Sequence, residues 1–188
     1  MTSSRNKRGL AGLAVAALGV AYPFLVYIGI GWLPPGALVL AALALVAARL
    51  MVLRGSTAAR ALIPPLVLVG LSILAISILD AALAARVYPV FMSLGMAAAF
   101  GLSLLRPPSL VEVFARLSEP EPGGTARAYM RRVSLVWCVF LVVNALISAS
   151  TLSRLDLWTL YNGLVSYLLM AALFAGEYLV RRRVRAEV

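Results

Sequence analysis

The chain has 188 residues, 63% of them hydrophobic and 13% charged, with a formal charge of +10 and a mean hydropathy of +0.98. Soluble domains run about 45–50% apolar and about 25% charged, so these proportions exclude a conventional water-soluble enzyme, a disordered tail and a secreted disulfide scaffold; lipid is the solvent for most of the chain. The basic excess is almost wholly arginine, with Lys7 the sole lysine. It falls in short clusters between apolar runs, the footprint of membrane orientation, and lacks the aromatic-interleaved basic face that would read nucleic acid.

A helix that crosses hydrocarbon needs about 20 mostly apolar residues, and six stretches qualify. The first runs from Leu10 to about Gly31 and is broken by Trp32-Leu-Pro-Pro-Gly36. The second covers residues 37–53, and the third covers 61–79, closed by Asp80. The fourth runs over 87–105 and ends at Arg106-Pro-Pro108; the fifth covers 133–151 and the sixth 158–180. The expected architecture is a single all-α domain over residues 1–188, a polytopic transmembrane bundle of six spans plus one short interfacial helix.

Orientation follows from counting basic residues on alternate sides. Of the 17 lysines and arginines, all but Arg86 and Arg154 fall on the side of the N-terminus, and those two stand near Asp80 and Asp156. Both termini are therefore expected in the cytoplasm, in a bacterial inner membrane. A rival reading makes Arg5-Asn-Lys-Arg8 and the following apolar run a secretory signal cleaved before Tyr22. Apolar character continues to Leu33, past the length of a signal core, which favours an uncleaved span.

The long loop over 106–132 carries structure of its own. Ser109-Leu-Val-Glu112 after Pro107-Pro108 is a capping-box pattern that opens a helix. Leu110, Val111, Val113, Phe114 and Leu117 form its apolar side, with Glu112, Arg116 and Glu119 opposite, and Glu112 and Arg116 stand at i,i+4 spacing. Such a helix lies in the inner headgroup layer. Pro120, Pro122, Gly123 and Gly124 end it, and a flexible stretch leads to Tyr129-Met-Arg-Arg132. The loop is either a plain connector or a docking surface for a cytoplasmic protein or anionic lipid, with Glu112, Arg116, Arg131 and Arg132 as the candidate contacts.

Chemistry-bearing groups are sparse. The sequence has no histidine, hence no Ser-His-Asp triad, no Cys-His pair and no histidine-ligated metal. No Gly-rich loop with a lysine is present to cradle phosphates, and the acidic residues are dispersed. No catalytic, cofactor-binding or metal site is assigned. Cys138 reads as a small buried hydrophobe. Polar groups inside a bilayer are costly and become the site candidates: Asn144 and Ser148 in the fifth span, Tyr161 and Asn162 near the outer end of the sixth, and Glu177 one turn before Arg181. Asn144 either makes an interhelical hydrogen bond or contacts a lipid or substrate headgroup. Tyr161-Asn-Gly163 is placed to bond at the interface, with Trp158 as an aromatic-belt anchor. Glu177 fits an ion pair with Arg181, and Arg49 is close enough to the inner surface to snorkel. Ser72 and Ser77 bond back to their own helix or a neighbour.

The second half resembles a known family. Val87-Tyr-Pro89, Leu105-Arg-Pro-Pro-Ser-Leu-Val-Glu112, Tyr129-Met-Arg-Arg132, Trp137 with Phe140 and Asn144, and Trp158-Thr-Leu-Tyr-Asn-Gly163 occur in that order. Over residues 87–180 this is similar to the bacterial inner-membrane proteins called intracellular septation protein A (YciB-like). That family is drawn with five spans where this chain has six, and the Arg181-Arg-Arg183 tail points to a related branch. The resemblance implies a role in the cell envelope through contacts with other membrane proteins, and it brings no catalytic residues. The leading expectation is a non-enzymatic scaffold or accessory factor in envelope or membrane-lipid biogenesis. Its partners would be membrane lipids and other inner-membrane envelope or lipid-synthesis proteins. The alternative is a transporter or flippase for a lipid or small hydrophobic molecule, which requires a polar cavity between helices; a lipid-modifying enzyme comes third.

Overall fold

A computed structural model of the chain describes residues 2–116 and 124–186, with the side chains of 9–116 and 124–180. The described residues fold as α1 (Thr2–Gly29), α2 (Pro35–Leu53), α3 (Ala59–Leu79), α4 (Ala81–Leu105), the short α5 (Leu110–Ala115), α6 (Gly124–Ser150) and α7 (Leu155–Leu160). A π-turn (Tyr161–Val165) then joins α7 to α8 (Ser166–Ala186). Six helices are long and apolar enough to cross a membrane, the last being α7, the π-turn and α8 taken together over Leu155–Val180. The chain is an all-helical, multi-pass bundle. An even number of crossings brings both termini to one end, called here the terminal end; the turns at 30–34 and 151–154 lie at the far end.

The helix limits have local causes. Pro35 opens α2, where its missing N–H and fixed φ fit the first turn. Asp80 ends α3 and begins α4, its carboxylate accepting the Leu83 N–H at 2.8 Å. That cap starts α4 at Ala81, ahead of the apolar run from Val87. Arg86 is tolerated there because its guanidinium donates to the carbonyls of Ala82 (3.3 Å) and Leu152 (3.1 Å). Helix α6 likewise begins at Gly124, so the stretch expected to be flexible is helical from there on. Ala126, Arg127, Ala128 and Met130 are strong helix formers; only their polarity kept them out of the apolar span.

Helix α4 is the hub, packed against α2, α3 and α6. One core cluster, towards the far end, includes Tyr22, Val26, Leu38, Ile73, Ala84 and Trp158. A second, towards the terminal end, includes Leu62, Ala97, Phe100, Leu110 and Trp137. Large apolar side chains such as Leu13, Leu40, Leu68, Ile78 and Leu168 point outward, a pattern that water would penalise and hydrocarbon accepts. Prolines inside these helices free carbonyls that lipid cannot satisfy. Pro89 leaves the Ala85 carbonyl without its helical donor, and the Tyr22 hydroxyl supplies one at 2.8 Å. The rings of Tyr22 and Tyr88 meet with centroids 4.7 Å apart, so the two Tyr-Pro dipeptides form one contact.

Several expectations are corrected here. Trp158 is no belt anchor: it is 0% exposed, and its indole N–H donates to the Arg86 carbonyl at 3.0 Å. Trp32, by contrast, is 89% exposed at the far end. Helix α5 does not present Glu112 outward, because Leu110 and Glu112 are both buried where α5 docks between α4 and α6, Glu112 at 6% exposure. The capping box is also replaced. Ser109 occupies the cap position, but its hydroxyl makes no cap bond. The Leu110 and Val111 N–H groups donate to Ser103 of α4 (2.9 Å) and Ser134 of α6 (3.3 Å). Leu117 and Glu119 lie outside the described residues.

Candidate functional site

Six elements converge on an interior that holds polar side chains. Helix α6 brings Asn144 and Ser148, α4 brings Tyr88 and Ser93, and the π-turn brings Tyr161 and Asn162. The Tyr161 hydroxyl donates to the Asn144 side-chain carbonyl at 2.9 Å, and the Asn144 amide donates to Ser93 Oγ at 2.9 Å. One turn towards the far end, Ser148 Oγ donates to the Asn162 carbonyl oxygen at 2.7 Å, and the Asn162 amide donates to the Trp158 backbone carbonyl at 2.9 Å. Each asparagine therefore both accepts and donates within the bundle, the condition for burying an amide in hydrocarbon.

The π-turn sets this geometry. Its widened spacing, in which the Ser166 N–H reaches the Tyr161 carbonyl, breaks the register of the last span, and such insertions often mark working sites. Gly163 makes the arrangement possible: a Cβ there would lie 2.7 Å from the Phe24 ring of α1. Glycine is the residue that lets α1 approach the turn this closely.

The network borders a partly open cavity of about 140 Å³. Gly19 and Pro23 of α1, Arg49 of α2, and Ser166 and Tyr167 of α8 complete its polar wall, with Met92, Met96 and Met170 among the apolar lining. Arg49 does not snorkel to the bilayer surface. A helical side chain is tilted towards the N-terminus of its helix, here back into the bundle, and the guanidinium rests where Gly19 has no side chain. It stands beside the phenols of Tyr88 and Tyr167. The Arg49 Nε is buried without a hydrogen-bond partner.

The structure brings Asn144, Ser148, Tyr161 and Asn162 together and turns all four inward, so Tyr161 and Asn162 do not bond at the interface. Asn144 and Ser148 share no hydrogen bond with each other; each pairs with a residue of the last span or of α4. Glu177 is half-buried on α8, away from the cavity, and the side chain of Arg181 lies outside the described residues. At the terminal end Glu112 pairs with Arg116 at 2.7 Å and with Arg127 at 3.8 Å. Arg131 and Arg132 are exposed and line a surface groove of about 380 Å³ with Leu104, Ala128 and Leu135. Ser77 bonds back to the Leu74 carbonyl at 2.7 Å, and the Cys138 thiol, half-buried, donates to the Ala97 carbonyl at 3.4 Å. Among the described residues no three His, Cys, Asp or Glu side chains gather as metal ligands would.

Sequence reasoning did not find Ser93, Ser166, Tyr167 or the inward turn of Arg49. A small hydroxyl in an apolar run carries little signal, and the direction of Arg49 is decided by a glycine on another helix. Comparison with protein-family models, curated proteins and solved structures returned no match.

Proposed function

We propose that this chain is a multi-pass protein of a bacterial inner membrane, with both termini cytoplasmic, that handles lipid as a non-enzymatic accessory factor in membrane-lipid or envelope biogenesis. The observation that carries the reading is a cavity of mixed polar and apolar lining, bordered by a satisfied Asn-Ser-Tyr network, inside a bundle whose outer surface is apolar. Polar groups in hydrocarbon cost free energy unless matched; the asparagines of the network are matched, whereas the Arg49 Nε beside the cavity is not. The distribution of arginine supports the orientation. The likeness of residues 87–180 to YciB-like septation proteins supports an envelope setting.

The exposed groove at Arg131 and Arg132 favours a second reading, a scaffold that docks a partner at the terminal end. Purification in mild detergent with mass spectrometry of all that travels with the protein separates the two. One strongly enriched lipid class without protein partners is the result expected. Envelope-synthesis proteins at near-stoichiometric levels with no enriched lipid, and capture weakened by charge reversal at Arg131 and Arg132, would establish the scaffold instead. A lipid-modifying enzyme ranks below both; turnover abolished by substitution of Asn144, Tyr161 or Glu177 would be needed to restore it.

A further inference from the structure

Arg49 has no carboxylate paired with it among the described residues. Among the described residues the ion pairs are those of Glu112, at the terminal end, and Asp80 is engaged in capping α4. A charged arginine within a membrane-spanning helix costs up to about 3 kcal/mol on insertion scales, and buried charges are ordinarily paired. The guanidinium nevertheless faces a cavity, with Nε unpartnered. Around it stand further donors: the Tyr88 hydroxyl beside the guanidinium, the Tyr167 phenol, and Ser93, which accepts from Asn144 and keeps its own O–H to give. The polar wall is thus rich in donors and holds no carboxylate.

Size narrows the ligand. A volume of about 140 Å³ is roughly the room of four or five waters and well below the about 300–1,000 Å³ of a pocket for a drug-sized molecule. What fits is a compact anion with several acceptor oxygens. Guanidinium binds such groups through two parallel N–H···O bonds, and phosphate matches that fork.

We propose that the cavity is a phosphate-binding site, in which Arg49, with Tyr88, Tyr167 and Ser93 as added donors, holds the phosphate of a phospholipid headgroup while the acyl chains stay in the bilayer. This rests on the lipid-handling reading and names the group it recognises. Free phosphate has the same chemistry, so both sources are tested.

The experiment uses the full-length protein, delipidated in mild detergent. Binding is followed by native mass spectrometry and by thermal shift with phosphatidylglycerol, with diacylglycerol bearing the same chains, and with inorganic phosphate. Phosphatidylglycerol is expected to bind and stabilise the protein, and diacylglycerol is not. Arg49→Gln should weaken phosphatidylglycerol binding about ten- to hundredfold, the worth of a charge-assisted pair, and Arg49→Lys should fall between because it keeps the charge and loses the fork. The surface double variant Arg54→Gln/Arg60→Gln, at exposed positions where α2 passes to α3, should bind as the parent does. Saturation by millimolar inorganic phosphate, abolished by Arg49→Gln, would support the site with a soluble ligand. Should Arg49→Gln fail to fold, Arg49→Lys and Tyr167→Phe carry the comparison. Equal binding of phosphatidylglycerol and diacylglycerol, unaffected at Arg49, would overturn the phosphate site and leave lipid handling standing. Binding of no lipid at all would remove both.

Discussion

Asn144 ties α6 to α4 and to the last span through one amide, accepting from Tyr161 and donating to Ser93. Removing either partner leaves the other polar and buried, so the costs are coupled. Asn144→Ala and Tyr161→Phe, each measured by reversible unfolding in detergent, should cost about 0.5–2 kcal/mol, and the double variant should cost less than their sum. Strict additivity would show that the two do not interact. Trp158 is a second such residue. Trp158→Phe keeps the ring and loses the bond to the Arg86 carbonyl, for a loss of about 1 kcal/mol, whereas Trp158→Ala opens the core and should cost about 3–5 kcal/mol; equal effects of the two would mean the packing is not as described. Sequence reading found Asn144 because an amide stands out in an apolar run. It misplaced Trp158, since a tryptophan at the head of a span fits a membrane interface and a buried core equally well, and only the neighbouring carbonyl of α4 decides.

The short helix α5 shows why an element's ends depend on its neighbours. Its position and its Glu112–Arg116 pair follow from local spacing, but its cap is supplied from α4 and α6. Ser103→Ala should therefore speed amide hydrogen exchange at Leu110, and Ser109→Ala should leave it unchanged; the reverse order would restore the local capping box. The π-turn was not readable at all, because Tyr161-Asn-Gly163 has no distinctive period of its own. Gly163 within it leaves room for the Phe24 ring of α1. Gly163→Ala should destabilise the bundle, and Phe24→Ala in the same chain should recover part of the loss, because the added methyl then has room. No recovery would place the strain elsewhere. The spans themselves were read to within a few residues, with the exceptions at α4 and α6, where a cap and a run of helix formers extend helix into polar sequence.

For the molecule as a whole, hydropathy sufficed for six crossings because a bilayer of fixed thickness sets helix length. The interior was hidden for the opposite reason: a cavity belongs to six elements and to no local pattern. Orientation is open to a simple check. In a Cys138→Ala background, Ser153→Cys in the turn before α7 should react with a membrane-impermeant maleimide added to spheroplasts, and Ser56→Cys in the turn before α3 should react only in inverted vesicles. Labelling with the opposite sidedness would reverse the topology.

The most direct test of a lipid headgroup inside the bundle is photocrosslinking in native membranes. A phospholipid carrying a diazirine at its headgroup is irradiated with the full-length protein, and adducts are located by tandem mass spectrometry. Adducts should fall on the cavity wall, on Gly19–Pro23 of α1 and on Ser166–Met170 of α8, and should diminish in Arg49→Gln. Adducts confined to outward-facing positions such as Leu40, Leu68 and Val139, with none on the wall, would contradict a headgroup site in the interior.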